Sequence, residues 1–162
     1  MNTHLQKHWP QQLNIFEYFS GRTVAYGLFE SRFGSVRRRF VVEIDGRVQN
    51  DELILNESFI YDDGEHQRRI WTIVSDQKGG YQGRADDVID EAVGHVIGNC
   101  LNWRYEMLLS VKNRKFKVSF DDWMYLMPDN VLFNRADLSK LGVTIGSVSI
   151  SFHKPVDSRF VG

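Results

Sequence analysis

Residues 52–75 read Glu-Leu-Ile-Leu-Asn-Glu-Ser-Phe-Ile-Tyr-Asp-Asp-Gly-Glu-His-Gln-Arg-Arg-Ile-Trp-Thr-Ile-Val-Ser. Two runs rich in β-branched and aromatic residues flank Asp62-Asp63-Gly64, a triplet suited to a tight turn, so the stretch reads as an antiparallel hairpin. Leu53, Leu55, Glu57, Phe59 and Tyr61 share one face, and across the turn so do Arg69, Trp71 and Ile73. Simple alternation of apolar inside and polar outside does not account for Glu57 and Arg69 among such neighbours. If this face points inward, the two charges meet on adjacent strands, either as a structural ion pair or as the polar contact that orients an apolar ligand.

The same pattern extends in both directions. Upstream, Thr23 to Phe33 and Ser35 to Asp45 flank Gly34, with Val36, Arg38, Phe40, Val42 and Ile44 on one face of the second run. Downstream, strand-like runs occupy 81–89, 92–100, 101–109, 115–125, 131–135 and 143–153, separated by turn signals such as Asp76 to Gly80 and Pro128-Asp129-Asn130. About ten strands joined by short links force antiparallel neighbours, because a parallel pair needs a crossover of a dozen residues or more. Two short segments read as helical turns: Leu13 to Phe19, whose Leu13, Phe16 and Phe19 recur every third residue, and Asp137 to Leu141, capped by Asp137 and stopped by Gly142.

Gly83, Gly94, Gly98 and Gly146 fall within strand-like text. Glycine weakens a strand but permits the sharp bends that closing a sheet requires. The expected fold is therefore all-β, an antiparallel up-and-down β-barrel with a short N-terminal helix closing one end. Residues 1–12 read as an N-terminal extension, 13–154 as one barrel domain and 155–162 as a C-terminal tail. A chain of 162 residues is long enough for one full core.

Lysine plus arginine number 20 against 21 aspartate plus glutamate, a formal net charge of −1, and no long run carries one sign. That pattern argues against nucleic acid or an anionic membrane as the main partner, since both require a concentrated basic field. No apolar stretch approaches the ~20 residues of a transmembrane helix. The first twelve residues are polar rather than signal-like, which gives a cytoplasmic location as the expectation. With 11 Phe, 6 Tyr and 4 Trp but only 3 Pro, the chain has much apolar volume to place.

Candidate chemistry is sparse. Cys100 is the only cysteine, so no intramolecular disulfide can form, and it reads as a small buried residue. The five histidines are scattered without ligand spacing, and no metal or cofactor is expected; a single axial haem ligand would have to be His95 or His153. Asp86-Asp87 and Asp121-Asp122 are neighbours on strand text and so point to opposite faces. A cross-strand dyad of Glu57 with Asp87 or Asp122 remains open for acid/base work, against the plainer pairing of carboxylates with Arg38, Arg39, Arg104 and Arg135. Trp103 and Tyr105 share a face with Leu101, Met107 and Leu109, while Trp123 and Tyr125 oppose Phe120, Asp122, Met124 and Leu126.

These motifs together resemble the bacterial domain-of-unknown-function family 3833. They are Arg38-Arg39-Phe40, Glu57 to Glu65, Arg69-Ile70-Trp71, Tyr81 to Val88, Gly98-Asn99, Asn102 to Tyr105, Asp121 to Tyr125, Asn134-Arg135 and Ser139 to Val143. The likeness runs from about Phe16 to Phe152. It implies a lipocalin-like, calycin-type barrel of the kind that holds small hydrophobic ligands. It singles out Glu57, Arg69, Trp71, Asp87, Asn102, Trp103, Tyr105, Asp122, Trp123, Asn134 and Arg135, and implies no activity. Many relatives resemble exported lipoproteins, whereas this sequence shows no lipobox.

The leading expectation is a carrier or sensor that binds a small hydrophobic molecule inside the barrel, with Glu57 and Arg69 orienting its polar end. Trp71, Asn102, Trp103, Tyr105, Asp122, Trp123 and Arg135 complete the expected ligand-binding set. No catalytic residue is assigned. An enzyme using Glu57 or Asp122 as acid/base, and a purely structural or interaction protein, are the alternatives.

Overall fold

Ten strands follow one another along the chain: β1 (Gly21–Ser31), β2 (Val36–Gln49), β3 (Glu52–Tyr61), β4 (His66–Ser75), β5 (Gly80–Arg84), β6 (Val88–Ile97), β7 (Cys100–Val111), β8 (Arg114–Leu126), β9 (Leu132–Lys140) and β10 (Val143–His153). Each pairs antiparallel with the next, and β1 also pairs with β10 from Val24 opposite His153 to Ser31 opposite Gly146. The sheet is thus a closed barrel with no free edge. This computed structural model describes residues 7–111 and 113–155. Residues 1–6 of the expected N-terminal extension, and the expected C-terminal tail beyond Pro155, lie outside the described residues.

The hairpin at 52–75 forms as read, with Glu57 directly opposite Arg69 across β3 and β4. Two expectations are corrected. Asp137 to Leu141 is not a helical turn: Asp137 to Lys140 end β9, where Leu132, Asn134, Ala136 and Leu138 all point inward and are buried, and Leu141 opens the turn to β10. A period of two that buries every second residue outweighs a local cap signal. The run expected at 81–89 ends at Arg84, because Ala85–Asp87 turns back with the Val88 amide donating to the Ala85 carbonyl at 3.1 Å. Asp86 and Asp87 therefore sit on a turn, and the signal near Asp90 is a bulge inside β6, where Asp90 adopts φ 56°.

Of the strand glycines, Gly146 lies at a register shift between β9 and β10, as expected of a bend, whereas Gly83 and Gly94 serve a different end. A Cβ on Gly83 would lie 2.6 Å from the Trp103 ring, and one on Gly94 would overlap the same indole. Both leave room for one large side chain against the wall. Gly98 is instead in the β6–β7 turn, with φ 58°.

One end of the barrel is plugged by α1 (Ile15–Tyr18). Asn14 caps it, its side-chain oxygen accepting from the Phe16 and Glu17 amides at 3.1 and 3.2 Å. The Leu13 amide donates to the Gly98 carbonyl at 2.8 Å, and the Tyr18 hydroxyl donates to the Asn130 carbonyl at 2.7 Å. Leu13, Ile15, Tyr18 and Phe19 are buried in the barrel's main apolar cluster. A one-turn helix has no stability of its own, so this burial and these bonds hold it. The opposite end stays open, ringed by the turns β1–β2, β3–β4, β5–β6, β7–β8 and β9–β10.

Because Trp103 occupies the space above Gly94, Gly94→Ala is expected to destabilise the fold by about 1–3 kcal/mol through overpacking. Urea unfolding followed by tryptophan fluorescence measures it, and an unchanged midpoint would contradict the role given to that glycine.

Candidate functional site

The inward faces of the strands do not fill the barrel. They enclose a cavity of about 1300 Å³ that runs from Ile15 and Phe19 on the plug to Arg37, Glu65 and Lys115 at the open end. This is larger than most small-molecule pockets, which span roughly 300–1,000 Å³. Its floor is apolar, formed by Ile44, Leu55, Ile73, Leu101, Met124 and Phe152. Aromatic side chains dominate the wall. Trp71 meets Trp103 edge-on at 5.6 Å and Tyr105 at 5.4 Å, and Tyr105 stacks on Phe120 at 4.9 Å.

A belt of polar side chains crosses this wall at mid-depth. The expected Glu57–Arg69 ion pair does not form a hydrogen bond. Arg69 instead grips Asp87, with Nε to Oδ2 at 3.0 Å and the terminal nitrogen to Oδ2 at 2.9 Å. It also lies 5.0 Å from the Phe59 ring centre and 3.4 Å from the Met107 sulfur. Asp87, on a turn at the rim, reaches the guanidinium in bidentate geometry, which outcompetes the residue merely opposite in register. Arg69 is held charged well above its ordinary range by Asp87 and Glu57, despite its burial.

Glu57 is left without that partner. Its Oε1 is inaccessible and has no hydrogen bond. Burial pushes its pKa up to about 7, an effect only partly offset by the nearby Arg69 charge and by the Trp71 indole. Asp122, 4% exposed, is likewise pushed by burial to about 8, with a hydrogen bond to Tyr105 working against the rise and the Asp121 charge adding to it. Burial, followed by the Asp122 charge, raises the Tyr105 phenol well above its usual value. Asn134 on β9 also faces inward, 2% exposed, and its Oδ1 has no partner.

Of the nine expected ligand-binding residues, Glu57, Arg69, Trp71, Trp103, Tyr105 and Asp122 line the cavity. The other three point outward. Asn102 donates to Asp121 at 2.7 Å on the outer face, Trp123 is 39% exposed, and Arg135 is exposed between the inward Asn134 and Ala136. Strand alternation is the cause, since each is a direct sequence neighbour of an inward residue. Neither candidate haem ligand reaches the interior: His95 is exposed, and His153 packs edge-on to Tyr26 on the outer surface. Among the described residues no group of three His, Cys, Asp or Glu side chains is placed to hold a metal ion. Asn134, singled out by the family resemblance but outside the expected ligand-binding set, alternates with Leu132 and Ala136 on the inner face.

The carboxylates at the mouth and on the outer face pair with three of the four arginines expected of them, while Arg135 makes no ion pair among the described residues. Arg38 bridges Asp63 and Glu65 at the mouth while covering the Tyr61 ring at 3.5 Å, Arg39 pairs with Asp62, and Arg104 pairs with Asp121.

A closed antiparallel barrel, plugged at one end and open to a large aromatic cavity at the other, defines the lipocalin-like class. The chain belongs to the family described as "Protein of unknown function (DUF3833)", whose model matches residues 2–154. Among solved structures it is similar to the S-type phycobiliprotein lyase CPES from Guillardia theta, with a TM-score of 0.63 at 8% identity, covering 88% of this chain and 92% of that one. At that identity the likeness establishes the fold. No curated protein matches the sequence. Among the described residues no helix is long and apolar enough to cross a membrane.

The two raised carboxyls carry a pH dependence with a fixed sign. An acid whose folded-state pKa is raised favours the fold most at low pH, and that advantage fades as pH climbs through the raised value. Conformational stability is therefore expected to fall between about pH 5 and about pH 8, and Glu57→Gln with Asp122→Asn to flatten the slope. Asp63 and Asp76, whose backbone hydrogen bonds lower their pKa values, act only in the acid range below that window. Urea midpoints across the pH range provide the measurement, and an unaltered slope in the double variant would contradict it.

Proposed function

We propose that this protein binds a small, largely apolar molecule inside the barrel, and that the molecule presents hydrogen-bond donors to the polar belt. The carrying observation is the pair of unpartnered buried oxygens, Glu57 Oε1 and Asn134 Oδ1, on residues that line an open 1300 Å³ cavity. Both oxygens are closed off, and each lacks a donor at a cost of about 1–3 kcal/mol, which a ligand N–H or O–H would recover once a small side-chain rotation turns the oxygen to the cavity. Arg69, the one cation at mid-depth in the wall among the described residues, is already neutralised by Asp87. A carboxylate or phosphate headgroup would therefore meet a committed guanidinium and two raised acids. The reading thus assigns the ligand's polar end to Glu57 and Asn134 in place of Glu57 and Arg69. The structural neighbour is named as a phycobiliprotein lyase, and a lipocalin-like fold suits an enclosed ligand, which supports the coarser part of this reading.

A specific observation also favours an enzymatic reading. Glu57 faces the cavity without a hydrogen-bonded arginine, and burial brings its pKa to about 7, where a carboxyl can give and take protons.

Titration with hexadecanamide, methyl hexadecanoate and hexadecanoate, read by quenching of tryptophan fluorescence, tests the proposal. The amide should bind about tenfold tighter than the ester or the carboxylate, and Asn134→Leu should erase that preference while retaining apolar binding. Tightest binding of the carboxylate, or binding of none of the three, would overturn it. Native mass spectrometry of protein purified without detergent separates the readings: a ligand recovered with altered mass on incubation marks turnover, and an unchanged one marks carriage.

A further inference from the structure

The mouth of the barrel is two-sided. On the β3–β4 and β5–β6 side the turns carry Asp62, Asp63, Glu65, Asp86 and Asp87, with Arg38, Arg39 and Arg69 held in ion pairs to them. The opposite side combines unsatisfied positive charge with exposed apolar tips. Phe33 at the β1–β2 turn is 80% exposed and Leu141 at the β9–β10 turn is 96% exposed, with Val36 and Val143 exposed beside them. The two turns are neighbours because β1 pairs with β10, and the Arg32 amide donates to the Ile145 carbonyl at 3.1 Å. Arg32, Arg37, Arg114, Lys115 and Lys140 surround them, and none makes an ion pair among the described residues; Glu30 is the carboxylate nearest in sequence. Arg32 lies over the Phe33 ring at 4.6 Å and Lys140 over the Phe116 ring at 4.3 Å, so charge and aromatic surface are interleaved.

Folding does not account for these tips. Leu141 and Gly142 both have positive φ, 50° and 78°, in a two-residue hairpin turn. That turn favours Asn or Asp before Gly, and a leucine there strains the backbone without burying its side chain.

We propose that this side of the mouth docks on an anionic lipid bilayer. Exposed apolar tips enter the boundary between headgroups and acyl chains, while the surrounding cations meet lipid phosphates. The alternation of sign along the chain argued against a membrane partner, but closing the barrel brings separate cations from three turns to one side. A second copy of the chain is a poor occupant, since two-fold docking of this face would set its cations against themselves. Docking would point the cavity's opening at the membrane, whether or not a ligand is bound.

Co-flotation of the full chain with vesicles tests this. Binding is expected to vesicles of phosphatidylcholine mixed with phosphatidylglycerol, to weaken with added salt, and to be much lower on phosphatidylcholine alone. Phe33→Ser with Leu141→Asn should lower the bound fraction about tenfold or more, as should Arg32→Glu with Lys115→Glu. Because Asn suits the turn better than Leu, Leu141→Asn alone should keep or raise the melting temperature, so lost binding is not lost folding. Equal binding by the variants, no binding to anionic vesicles, or self-association through this face in sedimentation would each overturn the proposal.

Discussion

Everything in this molecule depends on the seam between β1 and β10. Without that pairing the sheet would have two edges and a solvent-facing concave side. With it, every inward residue is enclosed, and each charge on the inner face must be neutralised, protonated or bonded in a medium that stabilises ions poorly. The seam also sets which turns become neighbours at the rim. The first and last hairpins, more than a hundred residues apart, end up side by side.

The polar belt shows how the enclosure is resolved. Arg69 and Asp87 neutralise one another through a bidentate contact. Glu57 and Asp122 take the other route, with pKa values near neutrality and so partly protonated. The arrangement leaves hydrogen-bonding capacity rather than net charge facing the space. It is a wall of donors and acceptors more than of free ions, because removing ions from water costs more than their pairing returns unless geometry is favourable.

Much of the fold was legible because a period of two is a strong signal when one face is enclosed. Leu53 to Tyr61 and Arg69 to Ile73 announce their hairpin, and Asp62-Asp63-Gly64 fixes its turn. What failed was longer in range. That Arg69 chooses Asp87 over Glu57 depends on how far an arginine reaches past the end of β5 to the turn that follows it, which register alone does not encode. Asn102, Trp123 and Arg135 were grouped with the cavity through a family pattern, although alternation with Trp103, Asp122 and Asn134 already sets them on the other face. The segment at Asp137 looked helical because a cap signal is local, while the burial that decides it comes from β8 and β10. The glycines at 83 and 94 could be noticed but not explained, since the indole they accommodate comes from β7.

The plug has a consequence for traffic. α1 is anchored by the Asn14 cap, the Leu13 amide and the Tyr18 hydroxyl, and seals one end against the floor of the cavity. The barrel is therefore a cup and not a conduit. Anything that occupied the space would have to leave by the mouth through which it came, and a molecule longer than the cup is deep would keep one end at the rim turns.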